Sequence, residues 1–140
     1  MVSLAETQLA LRAREVLKVI EVGSIARMPR LPRAVVGITP YRGRIVTVID
    51  PAVLLGQAPA PAQGSSERRV VLLDSSGRNV GLLVERVEVI SAMDVIEPKR
   101  GISDDAFVVE VAACGPRTVG VIDGGRLARR IAAVCSPARA

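Results

Sequence analysis

Residues 31–50 read LPRAVVGITPYRGRIVTVID, and the chain continues PAVLLG to residue 56. On either side of Arg42–Gly43, apolar residues alternate with small or polar ones, which is the two-residue period of a strand with one face in a core. Downstream, Asp50 suits a helix N-cap because its carboxylate can accept backbone N–H bonds. Pro51 suits the first helical position, where its missing N–H is an orphan in any case, and Gly56 suits the left-handed position past the C-cap. The stretch therefore reads as strand, tight turn, strand and short capped helix.

The same ending recurs further along the chain. VTVIDPAVLL (46–55) and VGVIDGGRLA (119–128) each close a strand on an Asp and open a helix, with Asp50 and Asp123 73 positions apart. Such an echo fits two similar small barrels, each finished by a strand and an Asp-capped helical turn. Val and Ile gather in short runs broken by Gly, Pro or paired polar residues. Candidate strands are Leu9–Ala13, Ile45–Ile49, Arg68–Asp74, Asn79–Val84, Phe107–Ala112 and Arg117–Ile122. No long helical pattern alternates with them, which argues against a parallel α/β sheet and for a small antiparallel barrel or sandwich. In GGRLARRIAAVC (124–135), Leu127, Ile131 and Val134 recur at helical spacing and predict a C-terminal helix with its apolar face on the barrel. In REVLKVIEV (14–22), Val16, Val19 and Ile20 predict a short helix running into a strand. Residues Gln57–Glu67, rich in Pro, Ala and Ser, read as a surface loop.

The 140 residues hold 19 Lys+Arg, 14 Asp+Glu, two Cys and no His. A chain of this length forms one compact unit burying roughly 68–70% of its unfolded surface, with no need of disulfide or metal. Without imidazole, His-dependent nucleophiles, His-ligated metals and His pH switches are excluded. Cys114 and Cys135 lack any zinc-type spacing and read as buried thiols in a reducing compartment. No P-loop or G-x-G-x-x-G fingerprint is present. Asp50 and Asp123 resemble a hydrolytic carboxylate pair only in composition, and helix capping accounts for both; Asp104 and Asp105, after Ser103, fit a turn cap in the same way. No enzyme, cofactor or metal site is expected. The basic residues are mostly Arg spread along the chain, and Arg27, Arg30 and Arg33 lack interleaved aromatic rings. A nucleic-acid-binding barrel therefore rests on charge alone and stands as a further alternative. No apolar run reaches the length of a bilayer span and no signal-like N-terminal segment is seen, so a cytoplasmic protein without membrane insertion is expected. Arg42, just before Gly43, reads either as an exposed cation on a hairpin or as a half-buried fork paired with Glu21.

Taken in order, LALRAREVLKVIEV, MPRLPRAVVGITPYRGRIVTVID, RRVVLLDSSGRNVGLLVERV and TVGVIDGGRL resemble the CheW-like chemotaxis coupling proteins over nearly the whole chain. The resemblance implies a mainly β fold of two intertwined five-stranded SH3-like barrels. The first would span approximately 14–66 and the second 67–125 with help from the N-terminal strand, with residues 126–140 as C-terminal helix and tail. It implies a non-enzymatic adaptor joining the cytoplasmic helical hairpin of a chemoreceptor (a methyl-accepting chemotaxis protein) to the regulatory domain of a CheA-type histidine kinase, with no nucleic acid bound. By position, Val19, Glu21, Gly37, Arg42 and Gly43 fall on receptor-linked and coupling residues, with Glu21 and Arg42 forming a salt bridge beside an apolar groove, and Phe107 falls on a kinase contact. Pro40, Tyr41, Thr47, Pro51 and Glu110 depart from the family pattern. They leave a second reading, a diverged paralogue that binds receptor but not kinase.

Overall fold

The β-branched runs of the sequence pair into strands and its two Asp-capped segments coil into helices. The computed structural model describes residues 2–3, 8–23, 25–27, 32–56, 68–73, 79–88, 95–98, 106–114 and 116–135. The expected loop 57–67, the Ser103–Asp105 turn, Arg30, and the thiols of Cys114 and Cys135 lie outside the described residues. The elements are β1 (Val2–Ser3), β2 (Gln8–Ala10), a 3-10 turn (Ala13–Glu15), β3 (Val16–Glu21), β4 (Val35–Tyr41), β5 (Arg44–Ile49), α1 (Pro51–Leu54), β6 (Arg69–Leu73), β7 (Val80–Val84), β8 (Arg86–Val87), β9 (Val95–Pro98), β10 (Val108–Cys114), β11 (Arg117–Ile122) and α2 (Gly124–Cys135).

The strands form two sheets, a five-stranded one ordered β3-β6-β7-β5-β4 and a six-stranded one ordered β8-β1-β2-β11-β10-β9. The fold is mainly β and intertwined: the chain starts in the six-stranded sheet, builds the five-stranded one, and returns. An isolated bridge, Ala26 to Ile38, ties the segment after β3 to β4, so the outer strands of the five-stranded sheet curl toward one another without full closure. The two sheets depart from the equal barrels expected, since one has a sixth strand, the two-residue β8.

Two sequence expectations are corrected. The division near residue 67 does not hold, because β6 and β7 pair with β3 and β5 in the first sheet. The runs VVLL and VGLLV are apolar on both faces and therefore take central positions, where both faces are covered. Val70 and Leu72 of β6 point into the five-stranded sheet's own interior, while Val71 and Leu73 point into a core shared with the other sheet and α2. The helix expected within 14–22 is reduced to the 3-10 turn. The run from Val16 onward lies in β3 instead, where Val19 and Ile20 pair with Val71 and Val70 of β6.

The echo at 73 residues is a repeat in three dimensions. Hairpin β4–β5 pairs Val35 with Ile49, Thr39 with Val46 and Tyr41 with Arg44. Hairpin β10–β11 pairs Val108 with Ile122, Ala112 with Val119 and Cys114 with Arg117, the same register with the same bulge near its start. Each second strand also takes a parallel neighbour, β7 for β5 and β2 for β11. Both hairpins end alike: the Asp50 N–H donates to the Ala34 carbonyl and the Asp123 N–H to the Phe107 carbonyl, each at 2.8 Å.

Candidate functional site

Arg42 and Gly43 both have positive φ, 48° and 77°. Two positive values in a two-residue connection are what a type I′ hairpin turn requires, and its twist matches that of the flanking strands. A Gly accepts this freely; an Arg pays for its Cβ. The turn projects the Arg42 side chain beyond the strand ends, where its guanidinium carbon lies 5.5 Å from the centroid of the Tyr41 ring. From β3, Lys18 places its ammonium 6.0 Å from the same ring. Both distances are within reach of a cation–π attraction. Arg44 stands across the hairpin from Tyr41.

Tyr41, Arg42 and Arg44 rim a cleft of about 280 Å³ at the open end of the five-stranded sheet, and Lys18 stands outside its lining, near the Tyr41 ring. Its inner surface is apolar, with Val46 and Leu72 continuing into the sheet's interior and Leu17 and Val80 alongside. Two large apolar side chains stay in water near it, Leu17 at 66% exposure and Ile45 at 63%. Leu17 lies at the bulge between the Val16 and Lys18 pairings of β3, and Ile45 shares the outer face of the hairpin with Pro40. Pro40 is tolerated because β4 is an edge strand, where a missing N–H costs no ladder bond on the open side.

The residues singled out from sequence do not form one cluster. Arg42 and Gly43 are on the cleft rim. Val19 is 38% exposed on β3, outside the cleft lining. Glu21 closes β3 at its far end, exposed and in register with Arg69. It makes no ion pair with Arg42, because β3 and β4 run in opposite senses and put the two side chains at opposite ends of the sheet. The alternative of an exposed cation on a hairpin is the one realised. Gly37 is buried, and a Cβ there would collide with the Ala26 carbonyl oxygen and come within 2.8 Å of Ile25 Cγ2. It lets residues 25–27 cross β4, where the Ala26 and Ile38 N–H groups donate to each other's carbonyls at 2.8 and 2.9 Å. Phe107, only 3% exposed, is a core ring beside α2 and has no face free for a partner in this structure.

Asp50 and Asp123 are each committed to the helix that follows. The Ala52 N–H donates to Asp50 Oδ1 and the Arg126 N–H to Asp123 Oδ1, both at 3.0 Å. Among the described residues no group of three potential metal ligands assembles, and no helix is long and apolar enough to cross a membrane. Sequence reasoning missed Lys18, Leu17, Tyr41, Arg44 and Ile45. Their signal was present as apolar and basic residues alternating beside the Arg-Gly turn, but which strand lies next to that turn depends on pairing that no local pattern encodes.

A family model described as the CheW-like domain matches residues 1–132. Among solved structures, the scaffolding protein TtCheW from Thermoanaerobacter tengcongensis is similar, with 29% sequence identity, a TM-score of 0.76, and coverage of 87% of this chain and 80% of that one. No curated protein matches the sequence. The match over nearly the full length, joined to the repeat of capped hairpins and the intertwined sheets, shows that the chain belongs to the CheW-like family, and so to the non-enzymatic scaffold proteins of chemotaxis signalling.

Proposed function

We propose that this protein is a cytoplasmic adaptor that couples the helical cytoplasmic tip of a chemoreceptor to the regulatory domain of a CheA-type histidine kinase. The observation that carries the reading is the apolar cleft rimmed by Arg42, with Leu17 and Ile45 left in water beside it, in a member of a scaffold family. Exposed large aliphatic side chains around a concavity are what the apolar face of an amphipathic helix covers in helix-in-groove binding. Val19, further along β3, extends that surface. Gly37 supports β4 by admitting the crossing segment 25–27, and Glu21 lies at the far end of the sheet.

A pull-down or calorimetric titration with a receptor cytoplasmic fragment tests the reading. Wild-type protein binds, and Arg42→Asp, which keeps a residue tolerant of positive φ in the turn, weakens binding by about tenfold or more. Equal retention by the variant removes Arg42 from the interface. A second reading, binding to receptor without kinase, is favoured by the burial of Phe107, since a ring enclosed by the core offers nothing to a kinase domain. Titrating receptor fragment and kinase regulatory domain side by side separates the two.

A further inference from the structure

The cleft carries a charge pattern that its shape alone does not require. Arg42 and Arg44 are exposed on its lining and Lys18 is exposed on neighbouring β3, Arg42 and Lys18 lie near the Tyr41 ring, and among the described residues no carboxylate pairs with any of the three. The repeat supplies an internal comparison. Arg117 holds in hairpin β10–β11 the place that Arg44 holds in β4–β5, and its guanidinium lies 3.8 Å from Glu88. Among the described residues, the second hairpin's arginine thus has a carboxylate within ion-pair distance and the first hairpin's has none.

We infer that the cleft is a docking site for an acidic protein segment, one that inserts a large apolar side chain between flanking Asp or Glu residues. The apolar interior takes the side chain, while Arg42 and Arg44 on the rim, with Lys18 close by on β3, take the carboxylates. Exposed charges around a dry centre act chiefly on specificity and encounter rate, and they select the sign of the partner. Leu17, which lines the cleft and is 66% exposed, carries the apolar surface past its mouth, which extends the site beyond a cleft-sized small molecule and fits a polypeptide. This deepens the adaptor reading and rests on it only in taking the occupant to be protein.

The test uses the full chain, isotope-labelled, titrated in an NMR experiment with the capped peptide Glu-Glu-Leu-Phe-Glu-Glu and with its Gln-for-Glu counterpart. The acidic peptide shifts the amides of Leu17, Lys18, Tyr41, Arg44 and Asn79, and the Gln peptide binds about five- to tenfold more weakly. The preference disappears when salt is raised from about 0.1 M to about 1 M, where the screening length falls from about 10 Å to about 3 Å. Lys18→Glu with Arg44→Glu abolishes the shifts, and Lys18→Gln with Arg44→Gln reduces them, in proteins whose remaining spectrum is unchanged. Absence of shifts at the cleft, equal response to the two peptides, or full binding by the charge-reversed variant overturns the inference. Failure of a receptor fragment to bind wild-type protein that still binds the acidic peptide would instead overturn the choice of receptor as partner and leave the cleft's chemistry standing.

Discussion

Arg42 occupies a backbone position at which glycine would be cheaper, so its side chain costs the turn stability that its charge must justify elsewhere. Arg42→Gly is expected to raise folding stability by about 0.5–1 kcal/mol in urea denaturation, and, on the proposed function, to weaken binding of a receptor fragment. A variant that loses stability would show that the Arg42–Tyr41 contact outweighs the strain. Glu21 behaves oppositely to its sequence expectation: exposed and far from Arg42, it should change stability by no more than about 0.5 kcal/mol when replaced by Ala. The costly ion pair lies elsewhere, between Arg68, 8% exposed, and Glu85 at 3.0 Å. Removing the carboxylate with Glu85→Ala takes one partner away from a buried guanidinium. Since Glu85 itself is partly solvated, the loss is expected near about 2 kcal/mol, below the about 3–5 typical of fully buried pairs. Gly37→Ala should cost more than any exposed change, about 2–4 kcal/mol, because the Ala26 backbone must move off β4 and two hydrogen bonds go with it.

Between single residues and the whole lie the two capped hairpins, and they are where the sequence was most legible. Asp50, Pro51 and Gly56 announced α1 because N-cap, first turn and left-handed exit each need a distinct residue type, and the Asp123 cap and the Leu127–Ile131 stripe announced α2 for the same reason. Five of the strands at 45–49, 68–74, 79–84, 107–112 and 117–122 were visible as Val-rich runs. What escaped was pairing. The run VLKVIE has both helical and strand periodicity, and its outcome was decided by β6 lying alongside, a contact across some fifty intervening residues. The cleft escaped for the same reason, since Lys18 and Tyr41 come together through that sheet. The caps also differ in burial, and this makes them separable by experiment. Asp50 is 3% exposed and Asp123 is exposed, so Asp50→Ala should cost about 1–2 kcal/mol and Asp123→Ala about 0.5–1, read from denaturation midpoints.

For the molecule as a whole, the decisive feature is one core that belongs to neither sheet alone. Leu9 and Ile122 come from the six-stranded sheet and Phe107 from the residue just ahead of β10, Ile49, Val71 and Leu82 from the five-stranded sheet, and Leu127 and Ile131 from α2. Leu127→Ala should therefore cost about 2–5 kcal/mol and lower both sheets in a single cooperative transition; two resolved transitions would show that the sheets fold separately. A rigid body of this kind suits an adaptor, which transmits a partner's position only if its own halves do not slide. The interleaving also constrains how the protein is made. Strand 8–10 lies beside residues 120–121 and leaves the ribosome over a hundred residues ahead of them. At about 5–20 residues per second, it waits roughly 6–20 s for its neighbour. During translation the newborn chain thus carries a strand with one edge still open, and slowing elongation should raise its dependence on chaperones.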